Sequence, residues 1–263
     1  MQESLYIAAS GGMIQQRKME VLANNLANVS TSGFKKDGLV FSELLPPFRP
    51  DNNFETSKNT LLEPARNNRS SAYTAVSGFA TDFTQGALRY TGNPLDLALE
   101  GDGFFAVQTS EGIRYTRKGQ FHLDPQNRLV SSSGLPLLSR DNEEILVPPG
   151  QGQVTIDPQG TVTVGTASQS VQLGQLKLVQ FQDKTRLQKA GGGLFELVRG
   201  EEPEGRPANL SVRQGFVESS NVNVVKEMTS MIQGVRTFEA LQRLIQSIDD
   251  ANDLSINGVG RVV

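Results

Sequence analysis

Cysteine is absent from this chain, which excludes disulfides and thiolate metal sites. Histidine occurs once, so a zinc site with several His ligands cannot be built, and a Ser-His-Asp triad would have to use His122. That residue sits in KGQFHLDPQN, which alternates like a strand ahead of a turn, and it reads as structural or solvent-facing. No run reaches the roughly 18 apolar residues of a membrane span, so no membrane insertion is expected. The opening MQESLYIAASGG lacks the basic start and long apolar core of a cleaved signal peptide. A net charge of −3 gives no argument for a nucleic-acid partner. A hydrophobic content of 37% is low for a compact enzyme.

The nucleotide motifs that do occur lack their context. Gly101-Asp102-Gly103-Phe104-Phe105-Ala106 matches a dinucleotide fingerprint, but that chemistry needs a helix opening at the glycines. Here the following residues read as a strand. Gly191-Gly192-Gly193 lacks the Lys and Ser/Thr of a phosphate loop. Asp96, Glu100 and Asp102 are acidic neighbours without the ordered spacing of a Ca²⁺ loop. No nucleophile can be paired with a base. The expectation is a protein that is not an enzyme and holds no cofactor or metal.

What is present is helix at both ends. Leu5, Ala8, Gly12, Gln15, Met19, Leu22, Leu26 and Val29 are spaced 3,4,3,4,3,4,3, the seam of a coiled coil, and small residues at Ala8 and Gly12 permit close approach of a partner. Near the other end Val224, Met228, Met231, Val235, Phe238, Leu241, Ile245 and Ile248 follow at 4,3,4,3,3,4,3, with one step that would locally overwind the supercoil. Asn221 and Asn223 are N-cap candidates for a helix running to about Leu254. Gly11 and Gly12 each cost the first helix about 1 kcal/mol relative to Ala, so it depends on a partner. The first helix ends in LANNLANVSTSGFKKD, where Asn24, Asn25 and Asn28 cluster although Asn is a mediocre helix former.

Between the helices the chain reads as β. Residues 46–75 are rich in Pro, Asn and Ser and look like an irregular excursion. From 76 to 218 short strands alternate with turn signals. Ser110-Glu111-Gly112 marks a hairpin. Asp124-Pro125-Gln126-Asn127 and Asp157-Pro158-Gln159-Gly160 place Pro second in a turn, with Asp first to bond the backbone. The fold class expected is α+β: long N- and C-terminal helices forming a coiled-coil-like pair, with an inserted all-β domain. The expected division is a helical domain from 1–45 and 219–263, a linker at 46–75, and a β-rich domain at 76–218.

LANNLANVSTSGFKKD closely resembles the N-terminal signature of bacterial flagellar rod, hook and hook-associated axial proteins: an aliphatic-Ala-Asn-Asn-Leu-Ala-Asn run, then Thr-x-Gly-Phe and a basic residue, here Thr31, Gly33, Phe34 and Lys35. ESSNVNVVKEMTSMIQGVRTFEALQRLIQSID resembles that family's C-terminal helix, and TQGALRYTGNPLDLALEGDGFFAV with YTRKGQFHLD resembles the β-domain of its rod members. LDLALEGDGFF, DKTRLQKAGGGLFE and the tail INGVGRVV resemble the proximal-rod type more than the distal-rod or hook types. The resemblance implies a structural subunit of the flagellar basal-body rod, in the periplasmic space. It would be exported by the flagellar type III apparatus without signal cleavage, and it would assemble helically with its own copies and other rod proteins. Terminal helices would form the tube, and the β-domain would lie outside. The expected assembly interface is then the two seams together with Asn24, Asn25 and Asn28, whose amides could bridge neighbouring backbones on a tightly packed wall. The competing class is a soluble ligand-binding β-module or enzyme, which concentration-dependent association would tell apart.

Overall fold

The computed structural model of the protein describes residues 2–44, 73–150, 152–166, 169–198 and 209–259. The chain divides into two compact units. One holds residues 1–24, 38–80 and 225–263; the other holds 25–37 and 81–224. The Pro- and Asn-rich stretch at 46–75 lies outside the described residues as far as 72, and its last three residues open a strand.

The first unit carries helix α1 (Gln2–Ala27) and helix α2 (Val224–Val259), which at ~1.5 Å per residue are about 39 and 54 Å long. α2 runs on to Val259, past the expected end near Leu254. β1 (Asp37–Leu44) pairs with β2 (Tyr73–Thr81), so the expected boundary at 76 falls inside a strand. A Cβ built on Gly11 would lie 3.5 Å from Leu241, one on Gly12 3.8 Å from the Phe238 ring, and one on Gly234 3.4 Å from Met19. The contacts descend α2 as they ascend α1, so the two helices run antiparallel where they touch.

The second unit is β throughout, apart from the end of α1 and one 3-10 turn at Lys184–Arg186. Its strands are β3 (Leu88–Tyr90), β4 (Leu97–Glu100), β5 (Phe104–Thr109), β6 (Gly112–Thr116), β7 (Phe121–Leu123), β8 (Leu129–Ser131), β9 (Gln153–Ile156), β10 (Thr161–Thr166), β11 (Gln169–Gln175), β12 (Leu178–Val179), β13 (Leu187–Gly191), β14 (Leu194–Leu197), β15 (Ser211–Gln214) and β16 (Phe216–Glu218). Five of them form a sheet in the order β12-β5-β6-β14-β13, and β9, β10 and β11 form a meander. β5 explains its own sequence. Successive side chains of a strand point to opposite faces, and in FFAV the residues Phe105 and Val107 enter one core while Phe104 and Ala106 enter the other. A strand buried on both faces reads as a continuous apolar run. Phe104 packs edge-on against Phe83, Phe181 and Phe195 in the second core.

The turn signals fold as expected. β5 and β6 are joined through Ser110-Glu111, with Thr109 opposite Gly112. In the twin Asp-Pro-Gln turns the fourth residue donates its N–H to the Asp carbonyl at 2.9 Å in both, from Asn127 and from Gly160. The Asp side chain accepts from the next amide, Arg128 or Thr161. The second unit is closed from its far end, because β15 pairs with β4 and β16 with β3.

Candidate functional site

The signature turn after α1 belongs to the β unit. Four turn bonds unwind the helix: Asn28 N–H to Asn25, Val29 N–H to Leu26, Thr31 N–H to Asn28, and Phe34 N–H to Thr31. Gly33 has φ +68°, and a Cβ there would fall 2.5 Å from the backbone carbonyl of Arg117. Only glycine fits both the left-handed conformation and the contact. Phe34 is buried, with the Lys189 ammonium 4.4 Å from its ring centroid.

Lys35 then points inward. Its side chain is 1% exposed, as is that of Glu218. The Lys35 Nζ donates to Glu218 Oε1 at 2.6 Å and to the Thr84 carbonyl at 2.7 Å. Arg117, also buried, donates to Glu218 Oε2 at 3.2 Å and to the carbonyls of Leu99 and Gly101. Gly86 N–H completes the carboxylate at 2.9 Å. One anion thus serves two buried cations, with backbone carbonyls of Thr84, Leu99 and Gly101 as their further acceptors, and Arg117 Nε finds no partner among the described residues. Burial lowers the Lys35 ammonium from the ordinary lysine value, and Glu218 pulls it partly back. Burial also lowers Arg117, against the pull of Glu218 and Asp102.

The same segments meet through their backbones. Gly33 N–H donates to the Glu218 carbonyl at 2.8 Å and Asn221 N–H to the Phe34 carbonyl at 3.4 Å. The Asn221 side chain accepts from Lys36 N–H at 2.9 Å and donates to the Asp82 carbonyl at 2.8 Å. Asn221 is therefore a bridge between segments, and Asn223, next to Val224, stands at the N-cap position of α2.

The Asn cluster resolves unevenly. Asn25 is buried and lies along Asp37 like a short strand, accepting its N–H at 3.0 Å and donating to its carbonyl at 2.9 Å. Its amide bridges a backbone, as expected of these residues, but that backbone is its own chain's. Asn28 is half-buried and accepts from the Thr31 hydroxyl, while Asn24 is exposed.

Along α1, Ala8, Gly12 and Leu22 are buried and Met19 and Leu26 half-buried; Val29, expected on the seam, lies half-buried in the turn beyond the helix, and the side chain of Leu5 lies outside the described residues. On α2, Met231, Phe238, Leu241, Ile245 and Ile248 are half-buried, as is Val224 at its start. Met228 and Val235 are instead 47% and 38% exposed, while Glu227 and Gly234 are buried. The least exposed row of α2 is thus Glu227, Met231, Gly234, Phe238, Leu241, Ile245 and Ile248, at an unbroken 4,3,4,3,4,3 spacing. The irregular step expected from the apolar residues disappears. Met228 and Val235 belong to a second row with Val225 and Ile232, spaced 3,4,3 and exposed.

Among the described residues nothing else gathers into a reactive site. Asp102 pairs with Lys184, Glu100 with Arg213, and Asp96 accepts from Asn93. The glycines of Gly101-Asp102-Gly103 lead into β5 rather than a helix. Among the described residues no group of His, Asp and Glu could hold a metal ion, and no helix is long and apolar enough to cross a membrane. Sequence reasoning missed Glu218, Arg117 and Asp37 as partners.

The polar groups of this junction are turned on one another and on the backbone. Comparison with known proteins places the chain in a family. The family model described as "Flagella basal body rod protein" matches residues 5–35, that for the flagellar hook protein FlgE/F/G D1 domain matches 98–164, and that for the flagellar basal body rod FlgEFG protein C-terminal matches 213–257. The flagellar basal-body rod protein FlgF of Caulobacter vibrioides is 30% identical over 263 residues, all of both chains. The rod protein FlgG of Buchnera aphidicola subsp. Acyrthosiphon pisum is 36% identical over 257 residues, 94% of this chain and 95% of its own. FlgG of Borreliella burgdorferi is 33% identical over 98% of each. The chain belongs to the flagellar basal-body rod protein family, whose members are structural proteins and not enzymes. Relatives of both names align over nearly the whole chain, so the proximal-rod type is not singled out from the distal.

Proposed function

We infer that this chain is a structural subunit of the bacterial flagellar basal-body rod, and that copies of it and other rod proteins assemble helically by packing on the helices of the terminal segments. In this reading α1 and α2 pair as an antiparallel coiled coil. The three glycine contacts and the unbroken 4,3 row of α2 support that pairing. Family membership supports, as part of the same reading, export through the flagellar type III apparatus without signal cleavage and a place in the periplasmic part of the basal body. The helical residues would form the tube and the β-rich residues from 76 to 218 a separate domain.

The observation that carries the reading is the second apolar row on α2. Val225, Met228, Ile232 and Val235 are exposed, Val225 by 75%, although the adjacent row is already occupied. Burying each such side chain contributes roughly 1.5–3 kcal/mol, an ample drive for association. Ile232→Asp in the full chain tests this. The monomer should unfold within about 0.5 kcal/mol of the parent, since surface changes have small effects, while sedimentation and electron microscopy should show assembly lost. A variant that assembles normally refutes the use of this face.

A further inference from the structure

We propose that Met228 is an oxidation site that controls association: hydrogen peroxide converts its thioether to the sulfoxide and withholds the subunit from assembly, and reduction of the sulfoxide restores it. The site rests on the reading of the second α2 row as an association face, and adds a chemical control to it. Composition directs the oxidant. The chain has no cysteine, no tryptophan and five methionines, so peroxide meets no thiol and falls on the thioethers, where exposure sets the order of attack. Met1 lies outside the described residues. Met19 and Met231 are half-buried; Met19 lies against Gly234, and Met231 belongs to the least exposed row of α2. Met13 and Met228 are the open ones, 64% and 47% exposed. In the step itself the sulfur lone pair displaces hydroxide from a peroxide oxygen. The S–O bond forms as the O–O bond breaks, and the remaining proton leaves with hydroxide as water. Sulfur is oxidised by two electrons and peroxide is reduced to water.

The surroundings decide what that oxygen does. On a helix, residues three and four positions apart are surface neighbours. Those of Met13 are Ala9, Ser10, Gln16 and Arg17, and Arg17 pairs with Glu20. A sulfoxide there stays in water on a polar face and is silent. Those of Met228 are Val224, Val225, Met231 and Ile232, all apolar. The flexible thioether suits an apolar contact surface. Its sulfoxide places a polar acceptor in the middle of four apolar side chains. In the free subunit water satisfies that acceptor. An association that buries the row strips the water away and offers no donor from this face, which is the costly way to bury a polar group. Val225, Ile232 and Val235, the other members of the row, have no atom that peroxide oxidises, so the switch falls on Met228 alone.

The full chain tests this with peroxide as the probe. Sulfoxide at each methionine is counted by peptide mass spectrometry, and association is measured by sedimentation. As Met228 converts in the parent, the association constant should fall by roughly tenfold or more, while the melt of the dilute monomer stays within a few degrees. Methionine sulfoxide reductases should restore association. Met228→Leu, which conserves volume and apolar character, should associate equally before and after peroxide. Met13→Leu should behave as the parent, and Met228→Gln should associate poorly without any oxidant. Normal association of parent protein with Met228 fully converted overturns the proposal. So does a loss on oxidation in Met228→Leu as large as in the parent, or an oxidised monomer that melts far below the parent, since the effect would then be unfolding. Failure of the row itself is seen separately: Ile232→Asp would then assemble normally with no peroxide present.

Discussion

Replacing Gly33 by alanine puts a methyl group into space held by another backbone. The residue sits at φ +68°, and its Cβ would meet the Arg117 carbonyl at 2.5 Å and the Lys118 nitrogen at 2.6 Å. The left-handed conformation alone costs a non-glycine residue roughly 1–2 kcal/mol. Relieving contacts with main-chain atoms, which cannot rotate aside, adds an overpacking cost of roughly 1–3 kcal/mol. The two together predict a loss of about 2–5 kcal/mol. Gly192 supplies the control. It lies in the same unit at φ +61° with nothing within 4 Å of its Cβ, so Gly192→Ala incurs the conformational cost without the clash. In a domain of this size each kcal/mol shifts the melting midpoint by about 2–4 °C. Scanning calorimetry of the two full-length variants should therefore place Gly33→Ala well below Gly192→Ala, with the parent highest. Equal midpoints for the two variants would refute the claim that the signature glycine is required by its approach to Arg117.

Two further outcomes are expected. Gly12→Ala should stabilise the helices by about 0.5–1 kcal/mol, because alanine is the better helix former and its Cβ would meet Phe238 at an ordinary 3.8 Å; the helical signal on heating would show it, and a lowered midpoint would refute it. The hydrogen bond from Lys184 holds the Asp102 carboxyl below its usual value, so its contribution is present above the unfolded carboxylate value and is lost as pH falls through the lowered folded one. Urea midpoints measured from pH 7 to 2 should accordingly fall less steeply below about pH 4 in Asp102→Asn than in the parent, and parallel curves would count against the pairing.

The sequence made the β elements legible where chemistry is local. The FFAV run, the Ser110-Glu111 hairpin and the twin Asp-Pro-Gln turns each carry their signal within about ten residues. On α1 the buried positions are Ala8, Gly12, Leu22 and Asn25, the first three on the small and apolar row that heptad spacing picks out. On α2 apolar character selects Met228 and Val235, which are exposed, while the buried positions Glu227 and Gly234 carry no apolar signal. The junction was least legible. Lys35 and Arg117 look like surface charges, and their common partner Glu218 lies 183 and 101 residues away. Asn221 was visible as a cap, but its amide serves two segments that only the fold brings together.

The bonds between 33–36 and 218–221 also define a path for force. Tension entering through α1 reaches Gly33 and Lys35, crosses directly to Glu218 and Asn221, and leaves through α2. The intervening chain, 183 residues from Lys35 to Glu218, is out of line while those bonds hold. Its extended length is on the order of 600 Å at about 3.3 Å per residue. A pull on those bonds also loads the strands that anchor them, since Glu218 ends β16, which pairs with β3, and Arg117 directly follows β6.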